Sequence, residues 1–247
     1  MRLRRLLILL TLFSIAMAFL ESSVVVYLRE IMYPEGFSFP LVAFEGHLAV
    51  TEILREISTL VMLASVAFMA GKTLSRSLAC FVYSFAVWDI FYYVFLKLLL
   101  DWPSSLLEWD ILFLLPVTWT GPVISPLIVC MVMISLAVLI LYNSYRGLDT
   151  GLKVAEWLIL ITGAIVVIVS FTWDYSGYIL ERYSLSDIWN MPRDGSLLEY
   201  AAGYVPRSFN WWLFASGILI LTSAIILIYL RFRSKFKSQI SNLNLKP

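Results

Sequence analysis

The chain has 247 residues, 61% of them hydrophobic and 14% charged, with a mean hydropathy of +0.86. Soluble domains carry about 45–50% apolar and about 25% charged residues, so a water-soluble enzyme, a disordered chain and a disulfide scaffold are all excluded. The 18 Lys and Arg against 17 Asp and Glu leave a net charge of +1, which provides no field to gather nucleic acid.

A helix rises about 1.5 Å per residue, so about 20 mostly apolar residues cross the hydrocarbon. Six stretches reach that length, in an all-α polytopic arrangement. The first runs from Leu6 to Leu28, broken only by Glu21, and the second from His47 to Ala70, carrying Glu52, Arg55 and Glu56. The third, Leu78–Leu100, contains Asp89. The fourth is Pro126–Tyr142, the fifth Val154–Trp173 and the sixth Trp211–Leu230. Nothing repeats like the short alternating strands of a membrane barrel. The start, MRLRR followed by an apolar run and a small-x-small triplet at Ala16–Ala18, also fits a secretory signal peptide. The resumption of apolar residues after Glu21 favours a full span.

Between the third and fourth spans lies Ser104–Ser125, whose run Leu106–Leu115 is too short to cross and too apolar for a free loop. The expectation is a re-entrant or interfacial half-helix over Leu106–Leu115, closed by an irregular turn at Pro116–Pro122. An outward loop, Asp174–Phe209, follows the fifth span, and its SLLEYAAGY stretch has room for a turn or two of helix.

Twelve of the 18 basic residues cluster at one set of span ends, in the N-terminal MRLRR, the loops around Lys72, Arg76, Arg146 and Lys153, the C-terminal RFRSKFK and Lys246. The opposite ends hold only Arg29, Arg182, Arg193 and Arg207. The positive-inside rule therefore expects a cell-membrane protein with cytoplasmic N- and C-termini.

Charges inside a bilayer cost about 2.5–3.5 kcal/mol each on the insertion scale and mark functional sites. With the rise per residue, Glu21 lies about 10 Å from the outer end of its span, Glu52 about 7–8 Å, Glu56 one turn further in, and Asp89 about 16 Å. Three helices placing acids at overlapping depths point to one outward-facing site. Glu52 and Glu56 share a helix face, with Arg55 beside them. Asp89 shares a face with Tyr92 and Tyr93 and follows Trp88, and Asp110 reaches the same region if the half-helix dips inward. Glu52, Glu56 and Asp89 are the candidate catalytic groups, and Arg55, Trp88, Tyr92, Tyr93 and Asp110 the candidate substrate-binding ones.

Four span acids against Arg55 leave three negative charges, which require protons, water or a cation. Three readings follow. Glu21, Glu52, Glu56 and Asp89 could ligate a divalent metal with oxygen ligands, such as magnesium, calcium or manganese. They could instead form a proton or cation pathway, or serve packing and polar-ligand binding. A single histidine, His47, excludes bis-histidine haem, and Cys80 and Cys130 have no zinc or redox spacing. No GxSxG, P-loop, HExxH or CxxC motif occurs. The function expected is a membrane-embedded enzyme, metal-dependent in one form, acting on a lipid or lipid-soluble substrate. The alternatives are a transporter or ion-conducting membrane subunit, and a non-catalytic subunit of a larger complex. The partners expected are the lipid bilayer and other membrane subunits.

Overall fold

The continuous apolar runs leave the backbone no partner in hydrocarbon except itself, and helices are the result. The structure, a computed structural model, describes residues 2–42, 46–114, 117–184, 187 and 195–244. Six helices are long and apolar enough to span a membrane, and the chain is an all-α polytopic membrane protein. They are α1 (Leu3–Met32), α2 (Gly46–Ala70), α3 (Leu74–Leu100), α4 (Ile124–Tyr145), α5 (Val154–Leu180) and α7 (Trp211–Asn244). A short α6 (Gly195–Ala202) precedes the last, where the sequence allowed a turn or two of helix. Each long helix overruns its expected span, and Asp174, expected at the start of the outward loop, lies within α5.

The core is organised around α3, which packs against α1, α2 and α4, while α4 passes the contact on to α7 and α7 pairs with α5. At the α5–α7 crossing the backbones approach closely. A Cβ on Gly163 would come within 2.8 Å of Leu221, and one on Gly217 within 2.7 Å of Val167. Small residues of this kind let spanning helices pack in lipid, where no hydrophobic force draws them together. Near the basic end the pair is fastened by Arg231, whose Nε donates to Glu156 Oε1 at 2.6 Å.

The segment between α3 and α4 departs from expectation. It does not cross, but it is not helical. Two strands, β1 (Trp109–Phe113) and β2 (Trp119–Pro122), form an antiparallel hairpin pairing Trp109 with Pro122, Asp110 with Gly121, Ile111 with Thr120 and Phe113 with Trp119. The expected turn at Pro116–Pro122 is in part strand β2, and residues 115–116 lie outside the described residues. Composition explains the change. Trp, Ile, Phe and Thr suit a strand, and the prolines would have cut a helix short with unpaired carbonyls. Paired strands satisfy each other instead.

The hairpin is also deep. Phe113 stacks on Phe85 at 6.3 Å between ring centroids, and Phe85 lies fifteen residues, about 22 Å, from the end of α3. Irregular backbone at such depth is tolerated only inside protein. Here Trp119 lies parallel to Phe171 of α5, and Val123 and Ile124 N–H donate to the carbonyls of Glu108 and Leu106.

Replacing Gly217 by Leu should weaken the α5–α7 crossing and cost about 2 kcal/mol through overpacking. Gly177→Ala, where a Cβ meets nothing within 4 Å, should be neutral or slightly stabilising. Thermal unfolding of the two variants in the same detergent separates them.

Candidate functional site: a charged intramembrane cavity

A cavity of about 240 Å³ lies between α1, α2, α3 and the hairpin, at the end of the bundle opposite the basic residues. Its walls follow from helical spacing. Glu21, Val25, Leu28, Arg29 and Met32 recur along one stripe of α1, and Ala49, Glu52, Ile53, Glu56 and Thr59 along one stripe of α2. Trp88, Asp89, Tyr92 and Tyr93 contribute from α3, and Asp110 through Leu114 from the hairpin. All nine residues singled out from the sequence therefore line one cavity.

Their partners differ from those the charge count implied. Arg55 is the hub of one cluster. Its Nε donates to Glu52 Oε2 at 2.7 Å and its Nη1 pairs with Glu21 Oε1, while Thr59 Oγ1 donates to Glu21 Oε2 at 3.2 Å. These side chains join α1 to α2, which are not closely packed helices. Glu56 belongs to the hairpin instead: both its oxygens accept from the Leu114 N–H, at 3.1 and 3.0 Å. Asp89 Oδ2 accepts from the Cys130 thiol of α4 at 3.1 Å.

A second cluster centres on Arg29, which the sequence reading left at the outer rim. It is buried, and its Nη2 donates to Asp110 Oδ1 at 2.9 Å. Its guanidinium sits in the corner made by the perpendicular rings of Trp102 and Phe37, 3.9 and 4.3 Å from their centroids. A desolvated cation over an aromatic ring gains about 2 kcal/mol. Burial pushes the Asp110 carboxyl up from its ordinary range, and Arg29 draws it back down. Arg29 and Asp110 share this single hydrogen bond, with the Tyr93 hydroxyl set against the same carboxyl.

Among the described residues no three His, Cys, Asp or Glu side chains are grouped to hold an ion. Arg55 stands between Glu21 and Glu52, while Glu56 turns to a peptide N–H and Asp89 to a thiol. Five carboxylates still face two guanidiniums across the cavity.

Sequence reasoning missed Arg29, Trp102, Phe37 and Cys130. Arg29 was legible in principle, since it lies eight residues after Glu21 and thus on the same helix face. Trp102 and Phe37 come from separate loops and carried no such signal.

A further network supports the hairpin from the α5 side. Tyr204, fully buried, donates to Asp174 Oδ2 at 2.7 Å and shares a 3.0 Å hydrogen bond with Thr120 of β2. Burial pushes its phenol far above the ordinary range, which keeps it a donor.

Comparison with known proteins finds no match to a family model, a curated protein or a solved structure.

Arg55→Met strands Glu21 and Glu52 and should lower stability by about 3 kcal/mol. Adding Glu21→Gln and Glu52→Gln should recover most of it. Thermal unfolding of the single and triple variants gives the comparison.

Proposed function

We propose that this chain is a membrane-embedded enzyme whose outward-facing cavity takes a lipid-soluble substrate and works on it by carboxyl acid–base chemistry. The observation that carries this reading is the combination of a charged, hydrogen-bonded floor with apolar walls. Val25, Leu28 and Met32 of α1 face Ala49 and Ile53 of α2 across a gap that few backbone contacts close. A chain lying in lipid has a way in at that gap, and its polar end meets the carboxyls. Pockets with a few convergent polar groups on apolar walls are the usual form of a small-molecule site.

The roles follow from the hydrogen bonds. Glu56, accepting from Leu114 N–H through both oxygens, is an acceptor and hence the base. Asp89, beside the Cys130 thiol, is the second carboxyl for proton exchange. Tyr92 and Tyr93 supply hydroxyls to the same space, and Arg55 holds the α1–α2 wall in register.

Cells lacking the protein should accumulate one lipid-soluble species that the wild type removes. Glu56→Gln, inserted at the wild-type level, should remove it at least about 100-fold more slowly. Full activity in both Glu56→Gln and Asp89→Asn would defeat the acid–base reading.

Orientation follows the basic residues, which put both termini in the cytoplasm of a cell-membrane protein. The native cysteines Cys80 and Cys130 are buried, so an introduced thiol reports alone. Glu35→Cys in the exposed loop after α1 should react with an impermeant maleimide on intact cells, and Lys72→Cys only after permeabilisation. The reverse pattern would turn the cavity toward the cytoplasm.

A further inference from the structure

Two donors in the cavity have no acceptor among the described residues. Arg55 uses Nε on Glu52 and Nη1 on Glu21, which leaves Nη2 unused. Its side chain is 22% exposed and lines the cavity, so this third nitrogen stays within reach of a ligand. Tyr92 of α3 also lines the cavity, is only half-buried, and has a hydroxyl that is equally unused. Neither atom is enclosed, unlike the indole N–H of Trp88 in the same wall. The two belong to one neighbourhood. Ser22 Oγ of α1 donates to the Tyr92 carbonyl at 3.2 Å, which seats Tyr92 alongside the Glu21–Arg55 cluster. Arg55 in turn interacts electrostatically with both Tyr92 and Glu56.

Two unused donors beside a carboxylate base narrow the choice of ligand. Both guanidiniums are already matched by carboxylates, Arg55 by two and Arg29 by Asp110. No spare positive charge remains for a phosphate or a fatty-acid head. An ammonium accepts no hydrogen bond and leaves both donors idle. A carbonyl oxygen has two lone pairs and takes one bond from each. It also gives the base a proton to remove. A carbon next to a carbonyl releases its proton when the charge moving onto oxygen is stabilised, and donors aimed at that oxygen supply the stabilisation.

Resting on the cavity as the site of a lipid-soluble substrate, we infer that it takes an uncharged lipid carbonyl compound, whose oxygen Tyr92 Oη and Arg55 Nη2 hold while Glu56 removes a proton from the adjacent carbon. A Glu56 carboxylate oxygen forms an O–H bond as the C–H bond breaks. The C–H electron pair becomes the carbon–carbon double bond of an enolate, and the carbonyl π pair moves onto the oxygen between the two donors. Return of the proton from Glu56, to the same carbon or to the far end of a conjugated enolate, restores the carbonyl. No electrons enter or leave, and the net change is a shifted proton and double bond. Tyr92 and Arg55 touch the reacting oxygen and are catalytic groups, a role beyond the hold of Arg55 on the α1–α2 wall.

The test uses the full chain in phosphatidylcholine nanodiscs and three photoreactive probes with the same diazirine-bearing tetradecyl chain, ending in a methyl ketone, an amine or a plain methyl group. The ketone should label peptides of α1, α2 and α3 about tenfold more than the other two, which matches roughly one net hydrogen bond. In heavy water the same ketone should gain deuterium at the carbons beside its carbonyl, above the level in empty nanodiscs. Tyr92→Phe should slow that exchange at least about 100-fold while lowering the labelling at most about tenfold. Ser23→Ala, on an exposed face of α1, should leave both unchanged. The wild-type labelling and exchange need no variant to fold. Equal labelling by all three probes, or preference for the amine, overturns the carbonyl inference while leaving the cavity as a lipid site. Ketone labelling without deuterium gain, or exchange unaffected by Tyr92→Phe, overturns the enolate step. Labelling of cavity peptides by none of the probes overturns the inference and the lipid site together.

Discussion

In hydrocarbon no peptide group can be left without a partner, and that constraint shapes this molecule at its least regular point. The chain puts a two-stranded hairpin at membrane depth, where loops are excluded unless protein surrounds them. The strands pair with each other, and the groups they leave over are met from outside. Glu56 of α2 accepts from Leu114 N–H, Thr120 meets Tyr204, and Trp119 and Gly121 pack on Phe171 and Phe209. The hairpin is thus a wedge between the α1–α2–α3 side and the α5 side. The cavity is the space it leaves open on the first of these.

The charges obey the same economy. Each intramembrane acid has found a donor: two share Arg55, one takes a backbone N–H, one a thiol, and Asp110 takes Arg29. Removing one member of such a set strands another in low dielectric, which is why buried pairs are costly to break even when they add little net stability. The clusters also act as connectors. Arg55 ties α1 to α2 through side chains where the backbones stand apart, and Arg29 ties α1 to the hairpin and to the loop carrying Trp102.

Hydropathy alone made the six spans legible, because a run of twenty apolar residues has few other fates. The gathering of Glu21, Glu52, Glu56 and Asp89 was legible too, from depth along each helix. Three things were not. The hairpin was read as a half-helix because a short apolar run has no decisive period, and only the strand-forming side chains and prolines hinted otherwise. Arg29 looked like a rim cation because its partner, Asp110, lies 81 residues away. The part played by Cys130 depended on which face of α4 meets α3, and α4 is apolar on every side, so its sequence names no face.

The order of the elements along the chain has a consequence for biogenesis. Arg55 can neutralise Glu21 and Glu52 once the first two helices are in the membrane, since all three residues are then present. Glu56 and Arg29 must wait, because Leu114 and Asp110 belong to a hairpin made only after α3 has left the ribosome. Asp89 waits longer still, for Cys130 on α4. Between those moments the half-built bundle holds unmatched polar groups in the bilayer, and it stays exposed to quality control until the wedge is in place.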